Sequence, residues 1–272
     1  EGGGGMHRRR VEKMTMKKDL TTGDVSKSLL AFAGPMILGN LLQQCYNIAD
    51  TLIVSRFLGA NALAAVGSSY TLMTFLTSIL LGMCTGSGAA FSIWYGQKDM
   101  KRLKEGMLHA FGLIAAVTIV LNIIVFAGLP LILRLLQVPE QVMSYMEDYL
   151  KIIFVGISAT FLYNYFAALL RAIGNSVVPL VFLGVSAVLN IVLDFLFVFT
   201  FQRGVGGAAE ATVISQFVSG VGIAVYTQKY FPELRVSLKE ICFRGKMLNE
   251  IAGFSFLTCM QQSIMNFGIL MV

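Results

Sequence analysis

Residues 27–55 read KSLLAFAGPMILGNLLQQCYNIADTLIVS, and the reading of this stretch decides the fold. From Leu29 to Ser55 it holds no Lys or Arg and a single acid, Asp50, over more than the roughly 20 residues that a membrane-spanning helix needs. A basic segment precedes it, as before a signal peptide, but no small-x-small cleavage site closes the run, so a retained helix is expected. An acid at the centre of such a helix costs roughly 2.5 to 3.5 kcal/mol on insertion scales, so Asp50 persists only where fold or function compensates it.

Working outward, six further apolar runs follow: Asn61–Tyr95, Gly106–Leu136, Lys151–Ile173, Ser176–Phe201, Gly204–Gln228 and Met247–Val272. With 56% apolar residues, 13% charged residues and a mean hydropathy of +0.73, the 272-residue chain reads as an all-α integral membrane protein. The second run is too long to stop at a bilayer face, and Glu140–Tyr149 (EQVMSYMEDY) reads as a solvated amphipathic extension of the fourth helix. Short loops between helices four and five, and five and six, make those neighbours antiparallel.

The charge pattern orients the chain. With the N-terminus in the cytoplasm, only Arg56, Arg134, Lys151 and Arg203 of the 21 basic residues fall outside, which leaves 17 inside. The expectation is a multi-pass protein of the cell's inner membrane, surrounded by lipid, whose net charge of +6 is a topological signal and no sign of nucleic-acid binding. Cys45, Cys84, Cys242 and Cys259 lack metal-like spacing, so neither disulfides nor a zinc site are expected. Residues 1–25, opening EGGGGMHRRR, read as a disordered basic tail.

The chain begins to repeat itself. A shift of 219 residues lays residues 27–47 on KMLNEIAGFSFLTCMQQSIMN (246–266) with seven identities in 21 positions, among them Gln43 on Gln262 and Asn47 on Asn266. Apolar helices share Leu, Ala and Gly cheaply, but a matched Gln and Asn four apart inside a membrane run are harder to obtain by chance. Six helices separate the copies, and an even number preserves orientation, so the repeat is parallel, as in two six-helix bundles related by an axis along the membrane normal. Residues 26–228 then form an N-terminal six-helix lobe, 229–245 a cytoplasmic linker, and 246–272 the first helix of a second lobe. Doubling the offset gives roughly 440 residues for the complete protein, so the chain reads as truncated and the missing C-terminal lobe is expected to be needed for function.

Polar residues inside the runs are sparse and aligned. Helix one carries Asn40, Gln43, Asn47 and Asp50 at steps of three, four and three; helix five carries Ser186, Asn190 and Asp194 at steps of four; helix six carries Thr212, Ser215 or Gln216, and Ser219. Ser and Thr stripes ordinarily glue helices together. A carboxylate glues only with a partner, and no Lys or Arg lies at the depth of either aspartate. Asp50 stands six residues before Arg56, Asp194 nine before Arg203, and Thr212 nine after Arg203, which at 1.5 Å per residue puts all three about 9 to 14 Å below one boundary. Two carboxylates, an amide and a hydroxyl at one depth suit a proton or a hard cation such as Na⁺, giving Asp50, Asn190, Asp194 and Thr212 as the cation-coupling set. Gln43, Asn47, Asn164, Ser186 and Gln216 are candidate polar lining of a cavity. Glu210 points to a different face, Glu250 sits near the start of helix seven in a helix-dipole or snorkelling position, and His109 reads as structural. The sequence offers no P-loop, no nucleophile with a base and no cofactor motif, so an enzyme is not expected.

Three stretches carry a family resemblance: GPMILGNLLQQCYNIADTLIVSRFLGANALAAVG (34–67), RAIGNSVVPLVFLGVSAVLNIVLDFLFVF (171–199) and GVGGAAEATVISQ (204–216). From about residue 25 to the end the chain resembles the multidrug and toxic compound extrusion (MATE) family, in its branch similar to the DNA-damage-inducible transporters. The resemblance implies a twelve-helix antiporter that exports organic, often cationic small molecules in exchange for H⁺ or Na⁺, with no cofactor besides that ion. It implies an N-lobe site at Pro35, as a conformational hinge, with Asp50, Asn190, Asp194 and Thr212, and it places a helix-four asparagine on Asn164. Glu210 stands where the family more often has an apolar residue. Within transport the alternative is a flippase of lipid-linked oligosaccharides, whose lumen would be more basic. In a different class stands a seven-helix receptor, which leaves the repeat unexplained and lacks a Lys inside helix seven for retinal.

Overall fold

The computed structural model describes residues 25–135, 138–235 and 244–270. Its seven long helices are α1 (Val25–Leu58), α2 (Ala60–Gly96), α3 (Met100–Leu135), α4 (Glu140–Ala172), α5 (Val177–Asp194), α6 (Gly204–Tyr230) and α7 (Gly245–Leu270). A π-helical turn, Phe195–Thr200, prolongs α5, and a short 3₁₀ turn, Pro232–Leu234, follows α6. No strand occurs among the described residues, and the helices coincide with the seven apolar runs read from the sequence. Most of the tail 1–25, part of the 229–245 linker and Cys242 lie outside the described residues.

Five of the seven helices, α2 to α6, are long and apolar enough to cross a membrane by length and composition. The sequence reading counted seven spans, and the remaining two, α1 and α7, are more polar along their described residues. They are 34 and 26 residues long, but α1 carries Asn40, Gln43, Gln44, Asn47 and Asp50, and α7 carries Asn249, Glu250, Gln261, Gln262 and Asn266. These polar side chains dilute runs whose outer faces remain apolar, with Leu29, Ile37, Leu41 and Leu52 on α1 and Phe256, Leu257 and Ile264 on α7 all exposed.

Tight connections set the helices side by side. α1 passes to α2 through Gly59 alone, at φ +84°, and α4 to α5 through Gly174 at φ +86°, a left-handed conformation that costs glycine nothing. After Gly174, Asn175 Oδ1 accepts the Val178 N–H at 3.1 Å, which satisfies one of the free donors at the start of α5.

α4 lies at the centre, packed on α2, α3 and α6. Its Met146, Leu150, Phe154, Ile157, Leu169 and Leu170 join Phe91 and Trp94 of α2 and Leu103 and Ile114 of α3 in one fully buried cluster. In lipid there is little hydrophobic drive between helices, so close packing of small residues decides which faces meet. A Cβ on Gly156 of α4 would stand 2.5 Å from Val213 of α6, and one on Gly220 of α6 would stand 3.0 Å from the Ala159 carbonyl of α4. These two glycines let α4 and α6 approach closely enough for Thr160 to hydrogen-bond Gln216 between them. Glu140–Tyr149 forms the first part of α4 and is amphipathic: Val142, Met146 and Tyr149 are buried on one face, while Tyr145 and Asp148 on the other stay exposed.

α7 lies along α2 in a groove made by Gly82 and Gly86, whose added Cβ atoms would fall 2.5 Å from the Cys259 Cα and the Phe254 carbonyl oxygen. Ser87 and Ser255 meet there at 3.2 Å. Because the obstruction is backbone and cannot swing aside, Gly86→Val is expected to destabilise the protein by about 1–3 kcal/mol, the usual cost of overpacking. A fall in the midpoint of thermal unfolding in detergent measures it, and an unchanged midpoint would mean that α7 does not seat in this groove.

Candidate functional site

Asp194 closes α5 immediately before the π-helical turn, and its side chain is completely buried. Such turns recur at functional sites because they re-aim the residues around them. The side chains of Asp50 on α1 and Asp194 lie within hydrogen-bonding reach of each other. One turn earlier on α5, Asn190 is 1% exposed, and its Nδ2 donates to Thr212 Oγ1 of α6 at 3.2 Å. Thr212 donates in turn to the Ala208 carbonyl at 3.1 Å. Three helices thus bring Asp50, Asn190, Asp194 and Thr212 into one layer, as the residue counts from Arg56 and Arg203 required.

The layer is short of donors. Asp50 Oδ1, Asn190 Oδ1 and both carboxylate oxygens of Asp194 are buried with no hydrogen-bond partner. The four ion pairs among the described residues are Arg102–Glu250, Lys151–Glu147, Arg203–Glu210 and Arg244–Glu105, and none of them reaches the two acids. A buried acceptor left unsatisfied costs about 1–3 kcal/mol, and two facing carboxylates add mutual repulsion. A proton bridging the carboxyls, or a small cation among the oxygens, would supply the missing positive charge. The donor set therefore fits either ion, with oxygen ligands only.

Two cavities flank this layer. One, of about 510 Å³, lies between α1, α2 and α4 and is lined by Gln44, Asn47, Ile48, Asp50, Thr51, Leu52, Leu63, Val66, Gly67, Tyr70 and Tyr149. The other, of about 80 Å³, lies between α1, α4, α5 and α6 and is lined by Gln43, Tyr46, Thr160, Tyr163, Asn164, Leu183, Ser186, Ala187, Asn190, Ser215, Gln216 and Ser219. Of the lining residues named from the sequence, Gln43, Asn164, Ser186 and Gln216 share the smaller cavity. Asn47 instead joins Asp50 on the larger one, so the α1 stripe divides between two spaces.

Pro35 sits inside α1, which continues as a helix through it. Its missing N–H leaves the carbonyl one turn back without its helical partner. Nearby, the Ser176 hydroxyl donates to the Phe32 carbonyl at 3.1 Å and so ties the start of α5 to this part of α1.

Other readings gain partners. Glu210 pairs with Arg203 at the start of α6, away from the acid layer. Glu250 is held by the Arg102 guanidinium, with both carboxylate oxygens at 2.8 Å from Nη2, so a specific cross-helix ion pair replaces the helix-dipole role expected for it. His109 bridges two elements: Nδ1–H donates to the Glu105 carbonyl at 2.7 Å and Nε2 accepts the Arg244 N–H at 3.0 Å. Sequence reasoning missed three tyrosines. Tyr46 lines the smaller cavity with Gln216 and Asn190, and Tyr70 and Tyr149 line the larger one with Asp50. Tyr46 stands one turn before Asp50, a spacing that could have been noticed.

Comparison with known proteins follows the same lines. Residues 35–196, more than half of the chain, match the MatE family. Over 201 residues the chain is 36% identical to the probable multidrug resistance protein YpnP of Bacillus subtilis, covering 74% of this chain and 45% of that protein. It is 34% identical to the probable multidrug resistance protein YoeA of the same organism, covering 79% and 47%. The multidrug export protein MepA of Staphylococcus aureus is 26% identical over 250 residues, covering 89% and 54%. The chain thus spans about half the length of the curated relatives it matches. Among solved structures, a MOP superfamily transporter from Pyrococcus furiosus superposes with a TM-score of 0.87 at 24% identity, over 94% of this chain and 56% of that one. A MATE protein in its straight conformation gives 0.85 at 25% identity, over 94% and 57%.

Proposed function

The chain belongs to the MatE family, and from that premise we propose that it is the first lobe of a multi-pass exporter of organic, often cationic compounds, driven by exchange for H⁺ or Na⁺. The observation that carries the reading is the set of four buried oxygens without donors on Asp50, Asn190 and Asp194, beside a cavity that one of them lines. Buried acceptors of this kind call for a partner, and a proton or a small cation is one that oxygen atoms alone can hold. In this reading Asp50, Asn190, Asp194 and Thr212 bind the coupling ion, and the substrate's positive charge competes for Asp50 from the larger cavity.

Ion uptake neutralises the acid pair, and neutral carboxyls no longer hold a cationic compound. With the repulsion removed, α1 repacks against α5 and bends near Pro35, where a backbone hydrogen bond is already missing. The bound compound leaves, and the loaded carrier returns the ion to the other side. Gln43, Asn47, Asn164, Ser186 and Gln216 supply neutral hydrogen bonds along the way. The basic residues favour a cytoplasmic N-terminus in the inner membrane, and a second lobe, of which α7 is the first helix, completes the path. Neither cavity beside the acids is lined by Lys or Arg, which disfavours an anionic lipid-linked oligosaccharide as cargo.

The test is efflux of ethidium from proteoliposomes holding the protein with both lobes, under an imposed H⁺ or Na⁺ gradient. Efflux that follows one of the two gradients is the expected result. Efflux indifferent to both, or none at all, would overturn the reading.

A further inference from the structure

We infer that the smaller cavity, between α1, α4, α5 and α6, is a water-filled proton vestibule that serves the acid pair separately from the cavity through which an organic substrate reaches Asp50. This inference rests on the exchange reading above and adds the route of the proton.

Size separates the two spaces. A cavity of about 510 Å³ is within the 300–1,000 Å³ range of small-molecule sites, whereas about 80 Å³ is too small for such a compound. It is large enough for several waters, each needing roughly 10–15 Å³. Its wall also suits water. Ten of its twelve lining residues carry polar side chains and none is charged, so it offers no anion to hold a bare metal ion.

Part of the wall's donor capacity is spent on backbone carbonyls, which leaves oxygen lone pairs in the wall to be satisfied. Ser215 donates to Thr212 O at 2.9 Å, Ser219 to Phe182 O at 3.0 Å and Tyr163 to Pro179 O at 2.9 Å. Asn190 lines the space with an Oδ1 that is buried and has no donor. These lone pairs require donors inside the cavity, and water, or water carrying an extra proton, provides them.

Position links the vestibule to the acids. Asn190 stands four residues before Asp194 on α5 and Tyr46 four before Asp50 on α1, so each bridges the cavity and the acid layer across one turn, about 6 Å of rise. Counted along α5 and α6, the cavity lies on the Arg171 side of the layer, opposite to Arg203. In the step itself the carboxyl O–H of the acid pair breaks, leaving a carboxylate, and the proton joins a vestibule water as hydronium. Transfer from water to water then carries it away, with no electron change.

Filling the space tests this without touching an ion ligand. Ala187 lines the cavity, so Ala187→Val and Ala187→Leu exclude increasing amounts of water, and Val188→Leu enlarges a side chain on the exposed side of the same helix. In the two-lobe protein, proton entry reported by internal pyranine should slow in order of added volume, by about a hundredfold for Ala187→Leu, the low end of what a lost proton-transfer step costs. Equilibrium ethidium binding should stay within about twofold of wild type, and Val188→Leu should match wild type, since neither measurement draws on the blocked proton route. Hydroxyl-radical labelling of Tyr163 by X-ray radiolysis, which needs an adjacent bound water, should fall in the same order; if Ala187→Leu does not fold, Ala187→Val carries both readouts. Unchanged proton entry with reduced labelling would overturn the inference while leaving the exchange reading intact, and so would lost ethidium binding in a folded Ala187 variant. Wild-type protein whose efflux ignores gradients would instead sink the exchange reading and this inference with it.

Discussion

Asp194→Asn and Asp50→Asn, each made in the protein with both lobes, are expected to abolish gradient-driven efflux while leaving the fold as stable as before or more so. The reasoning starts from the unpaired acceptors. Asp50 Oδ1 and both oxygens of Asp194 are buried without donors. An Asn side chain has almost the same shape as Asp, carries no charge and brings two N–H donors. In Asp194→Asn the new amide can donate to the Asp50 carboxylate, and in Asp50→Asn to Asp194, so one unsatisfied acceptor and one carboxylate repulsion vanish together. Satisfying a buried acceptor is worth about 1–3 kcal/mol, so the thermal midpoint should hold or rise. In the exchange proposed above, the site nevertheless loses the charge for which ion and substrate would compete, and without that competition no exchange would occur. Raised or unchanged stability with lost function is the mark of a site that stores strain for its task. Proteoliposome efflux under an H⁺ or Na⁺ gradient, beside thermal unfolding in detergent, reads both halves. Wild-type, gradient-sensitive rates in both variants would reduce the two acids to helix glue.

Thr212→Val, which keeps the shape of the side chain and removes the hydroxyl, discriminates further within the same prediction. Thr212 Oγ1 accepts from Asn190 at 3.2 Å while giving its own proton to Ala208 O. The hydroxyl therefore orients the Asn190 amide, with Oδ1 left for an ion. Asn190 holds no charge, so the loss of this orientation should weaken ion affinity without removing exchange, in contrast to the two acids.

The acid layer was legible in the sequence because helical rise is nearly constant. Counting from Arg56 and Arg203 to Asp50, Asp194 and Thr212 converts residue number into depth, and three helices that agree in depth need only face one another to meet. Facing is where the count fails. Gln43 and Asn47 are four apart, just over one turn, and read as one face, yet they enter different cavities because α1 lies at the edge between α2 on one side and α5 on the other. Tyr149 shows the same limit in another form. Its phase with Val142 and Met146 was visible, but a run containing Glu147 and Asp148 read as solvated, while α4 carries that face into the bundle. The Arg102 partner of Glu250 lies 148 residues away, and no local pattern records such a distance. The π-helical turn at Phe195–Thr200 is silent too, since FLFVFT is as apolar as an ordinary continuation of α5.

Expressed alone, residues 1–272 are expected to insert into the membrane and to confer no drug resistance. Insertion follows from the helices: α2 to α6 are each long and apolar enough to span by length and composition, and their backbone hydrogen bonds are satisfied within each segment. The six-helix unit also has its own core, from Phe91 and Trp94 to Phe154 and Leu170. Transport asks for more than a core. Alternating access works by rocking one bundle against another around a fixed site, and the cavity that Asp50 lines is bounded here by α1, α2 and α4 only. The apolar faces of α1 and α7, with Leu29, Ile37, Leu41, Leu257 and Ile264 exposed, give a second bundle a surface to move against. On the proposed exchange, the acid pair without that bundle would still bind an ion but have no second orientation in which to release it, so binding would survive and net flux stop. An efflux-deficient host carrying residues 1–272 should be as drug-sensitive as one carrying an empty vector, while membrane fractions contain the protein. Co-expression of the complementary half should restore resistance. Resistance from residues 1–272 alone would mean that one lobe, by itself or paired with its own copy, can expose the Asp50 and Asp194 layer to both sides in turn.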